Sequence, residues 1–140
     1  MIVLDTNIVS ETMRSRPNPS VLAWRDACTA AGLFVRTVTE AEIRSGIARL
    51  DDGRRRDGLI AAADRAFGTL FRGQVLPFDR DAARHDAEIA AHRDRIGRPI
   101  SQFDGQIAAI ARSRGATFAT RNVADFEETG VAVINPWEVA

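Results

Sequence analysis

Four acidic residues occupy positions in the sequence where carboxylates could do chemistry together. Asp5 ends an apolar run that starts at residue 2, and Asp125 follows a second run that ends in Ala119-Thr120. Glu42 and Asp104 each stand at the start of a pattern typical of a helix. Ligands of parallel α/β sheets bind beyond the carboxyl ends of the strands, so an acid at such an end faces a possible site. The alternative for Asp5 is that it only caps the helix that follows it.

The elements that would position these acids alternate along the chain. Apolar runs at residues 2–4, 33–38, 75–78, 117–120 and 131–134 predict strands, and the segments between them have helical spacing. Thr39-Glu40-Ala41-Glu42 and Ser101-Gln102-Phe103-Asp104 have the spacing of capping boxes, so capping alone is the competing interpretation of Glu42 and Asp104. Strands alternating with helices predict one α/β domain over residues 1–140, with a mainly parallel sheet covered on both faces. Residues 39–50 and 54–71 predict an α-hairpin standing out from that sheet.

Strand carboxyl ends and the amino ends of the following helices share one rim of such a sheet. Asp5, Glu42 and Asp125 should gather there, and Asp104 joins them if its helix starts at the same rim. Clustered carboxylates repel one another and raise each other's pKa unless a cation lies between them. A hard divalent cation with oxygen ligands, Mg²⁺ or Mn²⁺, is the physical solution, and it can activate water against a phosphodiester.

The basic residues exclude several other mechanisms. All nineteen are arginine, and the chain has no lysine, which argues against a P-loop, a Schiff-base enzyme, a receiver domain and an aspartyl-phosphate phosphatase. Asn7, where such a phosphatase would carry a second aspartate, argues against it again. Arginine binds phosphate in a bidentate way, so the surface suits nucleic acid. With no apolar run near eighteen residues and no signal-peptide pattern, we expect a cytoplasmic protein without a membrane partner.

Five motifs in series carry a resemblance to a known family. They are Leu4-Asp5-Thr6-Asn7, Val38-Thr39-Glu40-Ala41-Glu42-Ile43-Arg44-Ser45-Gly46, Phe103-Asp104-Gly105-Gln106-Ile107-Ala108-Ala109, Ala119-Thr120-Arg121-Asn122 with Asp125-Phe126, and Asn135-Pro136-Trp137. Together they resemble the PIN-domain ribonucleases, and more narrowly the VapC-type toxins of toxin–antitoxin pairs, in the FitB-like branch. The resemblance covers nearly the whole chain in the right order.

The resemblance implies a three-layer α/β/α fold with a central sheet of four or five strands. It implies a Mg²⁺-dependent ribonuclease, with Mn²⁺ possible, in which Asp5, Glu42, Asp104 and Asp125 form the catalytic and metal-binding set. Thr6, Asn7, Thr120 and Asn122 become the polar shell around those acids. Some family members carry the fourth acid at the position of Asn122, and others three residues later at that of Asp125, so the fourth position stays open between these two.

The implied partners are an RNA substrate and a cognate VapB-type antitoxin. The family also implies a homodimer, a higher assembly with the antitoxin, and contact with DNA only through the antitoxin. Arginines at 14, 16, 44 and 54–56 are candidates for tracking an RNA backbone. The alternative function is a catalytically weak PIN module that represses transcription together with a DNA-binding partner, and the departure at Asn122 is its support.

Overall fold

A computed structural model describes residues 1–139 as a five-stranded sheet with helices on both faces. All strand pairs are parallel, and the spatial order is β3-β2-β1-β4-β5. The strands are β1 (Ile2–Leu4), β2 (Leu33–Arg36), β3 (Val75–Leu76), β4 (Thr117–Ala119) and β5 (Val133–Ile134). The helices are α1 (Thr6–Thr12), α2 (Pro19–Ala27), α3 (Thr37–Ala48), α4 (Arg54–Arg65), α5 (Arg80–Arg95) and α6 (Gln102–Ser113).

Neighbouring residues of β1 point to opposite faces of the sheet, and this divides the core in two. Leu4 belongs to a cluster with Ile8, Val21 and Ile43, whereas Val3 belongs to a cluster with Ile89 and Ile107. The first cluster packs α1 to α4 on one face, and the second packs α5 and α6 on the other. The three-layer α/β/α arrangement and the parallel sheet are therefore confirmed.

The α-hairpin is present as α3 and α4, which a five-residue π-helical turn, Ala66–Leu70, extends. Ile47 on α3 and Ala63 on α4 are buried in the same cluster as Phe67 of that turn. The hairpin thus packs through one apolar stripe and leaves its polar faces exposed.

The junction between β2 and α3 differs from the prediction. The strand was expected to reach Val38 and the helix to begin with a capping box at Thr39, but β2 ends at Arg36 and α3 begins at Thr37. Thr39 is fully buried and its hydroxyl group accepts from Thr6 at 3.1 Å, so it makes a tertiary contact instead of a cap. Glu42 accordingly lies in the second turn of α3, one turn further from the sheet than expected.

Candidate metal-dependent nuclease site

The site lies at the carboxyl ends of the three central strands. Ile2 of β1 pairs in register with Leu33 of β2 and with Thr117 of β4. The same register continues to the strand ends, where Asp5, Arg36 and Thr120 come side by side. The backbone N–H of Asp5 donates to the carbonyl of Ala119 at 2.9 Å, which fixes the position of the acid.

The carboxylate of Asp5 is buried and accepts three hydrogen bonds. Its Oδ1 accepts from the Thr6 backbone N–H at 2.8 Å and from Nη2 of Arg36 at 2.9 Å. Its Oδ2 accepts from the Thr120 hydroxyl group at 2.7 Å. Asp5 is the N-cap residue of α1 as well as a site residue, so the two interpretations of the sequence are compatible.

All four predicted acids line one cavity of about 320 Å³. Asp5 lies at its base, and Glu42, Asp104 and Asp125 stand around it on three different elements. The cavity also has contributions from predicted polar residues and from apolar neighbours: Thr6, Asn7, Ser10, Phe103, Ile107, Asn122 and Phe126. Thr120 does not line the cavity but supports Asp5 from below through its hydroxyl group.

Separate local features position two of the outer acids, Asp104 and Asp125. Asp104 lies in the first turn of α6, where its backbone N–H donates to the Ser101 side chain at 3.0 Å, so the helix does begin at the rim of the site. Asp125 lies on a 3₁₀ turn, Val123–Phe126. That turn is tied to the sheet, because the backbone N–H of Asn122 donates to the Thr120 hydroxyl at 3.1 Å. Both Asn122 and Asp125 reach the cavity, which keeps both as candidates for the fourth position.

The electrostatic environment favours protonation of two of these acids. Burial in the cavity wall raises the pKa of Asp104, and the negative charges of Asp125 and Asp5 raise it further. Partial burial also raises the pKa of Glu42, although the residue as a whole is exposed. The positive charge of Arg36 opposes this shift, and the negative charge of Asp5 adds to it. Loss of solvent is thus the main cause of both pKa shifts, and repulsion between neighbouring acids adds to it.

Arg36 is the residue of the site that the sequence analysis missed. It is fully buried, and it is the positive group nearest to Asp5. Burial lowers the pKa of Arg36, whereas Asp5, Glu42 and Asp104 act in the opposite direction. The signal was an arginine closing the apolar strand Leu33–Arg36, but only the strand register places it against Asp5.

The donor set suits a hard divalent cation. Carboxylate oxygens dominate the cavity, and Oδ1 of Asn7 is a buried acceptor that has no hydrogen-bond partner. Within residues 1–139, no three His, Cys, Asp or Glu side chains are drawn together into a preassembled cation cage. Asp5, Glu42, Asp104, Asp125 and the Asn7 amide are the groups that would hold Mg²⁺ or Mn²⁺.

A larger groove of about 820 Å³ begins beside the cavity and runs along the α-hairpin. Thr6, Ser10 and Glu42 line both spaces, so the groove opens onto the site. Its walls are largely apolar, with arginines among them: Met13, Ile43, Ile47, Leu50 and Leu59, together with Arg14, Arg54 and Arg55.

Three of the arginines proposed for RNA contact are already engaged in ion pairs. Arg14 pairs with Glu11. Arg44 pairs with Glu40 and Asp64, and Arg56 pairs with Asp52. Arg54 and Arg55 make none of the ion pairs found in the described part of the chain, and both line the groove. They are therefore the stronger candidates of the set.

Comparison with known proteins identifies the family. The family model for the PIN domain matches residues 2–131. The chain is 41% identical to the VapC ribonuclease Y4jK of Sinorhizobium fredii over 140 residues, which is all of both chains. It is 39% identical to the toxin FitB of Neisseria gonorrhoeae over 98% of this chain and 99% of FitB.

Comparison of the fold with solved structures identifies the same group of toxins. A solved structure described as FitAB bound to an IR36 DNA fragment superposes with a TM-score of 0.93 at 38% identity, over 100% of this chain and 98% of that one. None of the helices in residues 1–139 combines the length and the apolar character needed to cross a bilayer. The match of the PIN model and the full-length similarity to a VapC ribonuclease and to FitB together show that this chain belongs to the PIN-domain family, in the group of VapC and FitB toxins.

Proposed function

We propose that the protein is a Mg²⁺-dependent ribonuclease that acts as the toxin of a toxin–antitoxin pair. The observation that carries the proposal is the convergence of Asp5, Glu42, Asp104 and Asp125 on one cavity at the carboxyl end of a parallel sheet. The name of the Sinorhizobium fredii relative, a VapC ribonuclease, supports RNA as the substrate.

The reaction is hydrolysis of an RNA phosphodiester bond. A water oxygen forms a new bond to phosphorus, the bond from phosphorus to the 3′ oxygen breaks, and the products are a 3′-hydroxyl and a 5′-phosphate. The bound Mg²⁺ or Mn²⁺ supplies Lewis-acid stabilisation of the phosphate charge and a more acidic water.

The four acids divide this work. Asp5 and Asp104 hold the cation, and Glu42 and Asp125 help to ligate it or orient the attacking water. The raised pKa of Glu42 makes its carboxylate a stronger base toward a water proton than an ordinary glutamate. Thr120 and Thr6 hold Asp5 in place by hydrogen bonds, and Asn7 and Asn122 complete the polar lining.

Substitution of Asp5 by Asn tests the proposal directly. Because Asp5 is the most restrained of the four acids, Asp5→Asn is expected to reduce RNA cleavage in Mg²⁺ by at least about a hundredfold. Asp26→Asn, an exposed change on α2 outside the cavity, is the matched control. Cleavage by Asp5→Asn at the rate of the control would refute the proposal.

The proposed protein partner is a VapB-type antitoxin. The related FitAB structure is a complex on DNA, which supports an antitoxin and contact with DNA through it. The groove beside the site suits an apolar helix of that partner, from which a basic side chain could reach the acids. A homodimer, a higher assembly with the antitoxin and a cytoplasmic location complete the proposal. Light scattering of the protein alone and with antitoxin would measure the assembly.

A second candidate function is favoured by one observation: the related FitAB complex is described as bound to DNA. In that case the chain is a catalytically weak PIN module that represses transcription with its DNA-binding partner. Titration of antitoxin-free protein with Mn²⁺ discriminates between the two candidates. Neither Mn²⁺ binding nor RNA cleavage is expected from the weak module, and both are expected from the ribonuclease.

A further inference from the structure

Arg36 lies beneath the site and contacts it only through Asp5 and Thr6. Its Nη2 donates to Asp5 Oδ1 at 2.9 Å and to the Thr6 hydroxyl at 3.4 Å. The guanidinium carbon is 5.9 Å from the centre of the Phe118 ring, so the other side of the group faces an aromatic residue of the core. Arg36 is fully buried and does not line the cavity, so it is placed to act on Asp5 and not on a substrate.

The contacts of Asp5 leave little of its carboxylate for a cation. An ionised carboxylate has about four acceptor positions, two on each oxygen. Thr6 and Arg36 use both positions of Oδ1, and Thr120 uses one of Oδ2. One position on Oδ2 is left, so Asp5 can give a single bond to a single cation.

A carboxylate that bridges two cations must offer a free position on each of its two oxygens. In two-cation sites the ions lie about 3.5–4 Å apart, and a carboxylate that serves both binds one ion with each oxygen. Here the guanidinium of Arg36 already lies against one oxygen of Asp5 as a permanent positive charge, since arginine stays protonated in proteins.

We propose that Arg36 stands in place of a second cation and restricts the site to one divalent ion, bound through Oδ2 of Asp5. This inference rests on the proposed metal-dependent function and adds its stoichiometry. Arg36 is a positioning residue in this scheme: it blocks Oδ1 and leaves Oδ2 as the point at which Asp5 meets the ion.

Titration of the full chain with Mn²⁺, by calorimetry and by electron paramagnetic resonance, tests the inference without RNA. The wild-type protein is expected to bind one Mn²⁺ per chain and to give the spectrum of an isolated ion. Arg36→Gln removes the charge and the guanidinium contact, which opens one position of Oδ1, so the stoichiometry is expected to rise from one to two, with spin coupling between the ions. Arg95→Gln, an exposed change on α5, and Arg36→Lys, which keeps the charge, are both expected to bind one ion.

Two spin-coupled ions on the wild-type protein would overturn the inference, and so would a single ion on folded Arg36→Gln. The wild-type measurement decides even if Arg36→Gln does not fold, because it needs no variant. RNA cleavage by a protein carrying two ions would sink this inference and leave the proposed function standing. One bound ion without any RNA cleavage would do the reverse.

Discussion

Asp5 is held more tightly than any other residue of the site, and its restraints come from three elements. Thr6 of α1, Arg36 of β2 and Thr120 beyond β4 each donate to its carboxylate. A buried carboxylate needs such partners, because burial of an unpaired charge costs several kcal/mol. The same contacts that make the burial possible also fix the direction in which the remaining lone pair points.

Thr120→Val tests how much one of these donors contributes. Valine has nearly the shape of threonine but can neither donate nor accept, so Oδ2 of Asp5, the Asn122 N–H and the Asn7 side-chain amide would each lose a partner. The free energy of unfolding in urea is expected to fall by about 1–3 kcal/mol. Thr117→Val, at the opposite end of β4 and remote from the acids, is expected to change it much less. Equal losses in the two variants would contradict the role given to Thr120.

The raised pKa values of Glu42 and Asp104 predict a pH dependence of stability. A carboxyl group whose pKa is higher in the folded than in the unfolded protein holds its proton more tightly when folded. The contribution of these groups therefore becomes less favourable as pH rises from the unfolded pKa, about 4, through the raised folded values. Replacement of Glu42 by Gln removes this effect.

We therefore expect Glu42→Gln to melt at a higher temperature than the wild-type protein at pH 7 in the presence of a chelator, and at nearly the same temperature at pH 4. Thermal unfolding followed by circular dichroism measures both. Glu138→Gln, an exposed change, controls for the loss of one surface charge. A lower melting temperature of Glu42→Gln at pH 7 would mean that its carboxylate stabilises the fold.

At the scale of elements, strand ends and helix starts were predictable and their exact contacts were not. The rule that ligands bind at the carboxyl ends of parallel strands brought Asp5, Glu42, Asp104 and Asp125 to one rim, and all four do line one cavity. Arg36 escaped because a charged residue at a strand end has no periodic signature. Only the pairing of β1 with β2, a tertiary property, puts it against Asp5. The prediction for Thr39 was wrong for a similar reason. Its spacing from Glu42 is that of a helix cap, but its hydroxyl group makes a tertiary hydrogen bond with Thr6.

The turn that carries Asp125 depends on a second buried arginine, on α5. Arg93 donates to the carbonyls of Arg98, Asp125 and Glu127 at 2.6, 3.2 and 2.9 Å. Arg93→Met removes all three bonds and keeps much of the apolar stem. We expect a loss of about 2–4 kcal/mol in the free energy of unfolding and slower RNA cleavage, because Asp125 loses its support.

Arg95→Met, two residues along the same helix, is the control for Arg93→Met because Arg95 is exposed. Urea unfolding and single-turnover cleavage measure the two effects separately. Unchanged cleavage by a destabilised Arg93→Met would show that the position of Asp125 does not limit the reaction.

At the scale of the whole molecule, the acidic cavity and the groove are adjacent and continuous with each other. They share Thr6, Ser10 and Glu42, so a partner lying in the groove reaches the edge of the acidic cavity. An occupant of the groove could therefore exclude RNA from the acids without any change in the fold.

Gly46→Phe separates binding in the groove from chemistry in the cavity. Gly46 lines the groove on α3, and a Cβ added there would have no heavy atom within 4 Å, so a side chain can start from this position toward the groove. Antitoxin binding is expected to weaken by at least about tenfold, which is 1.4 kcal/mol, while cleavage by the antitoxin-free protein is retained. Gly68→Phe, also open but outside the groove, is the control, and calorimetry with the purified antitoxin measures the binding.

The pairing of β1 with β4 has a consequence for biosynthesis. The hydrogen bond from Thr120 to Asp5 joins residues 115 positions apart, so it cannot form until Thr120 has left the ribosome. At a translation rate of about 5–20 residues per second, roughly 6–23 s pass between the synthesis of Asp5 and that of Thr120. A nascent chain therefore carries an incomplete carboxylate site until that point, and a chain interrupted before Thr120 never completes it.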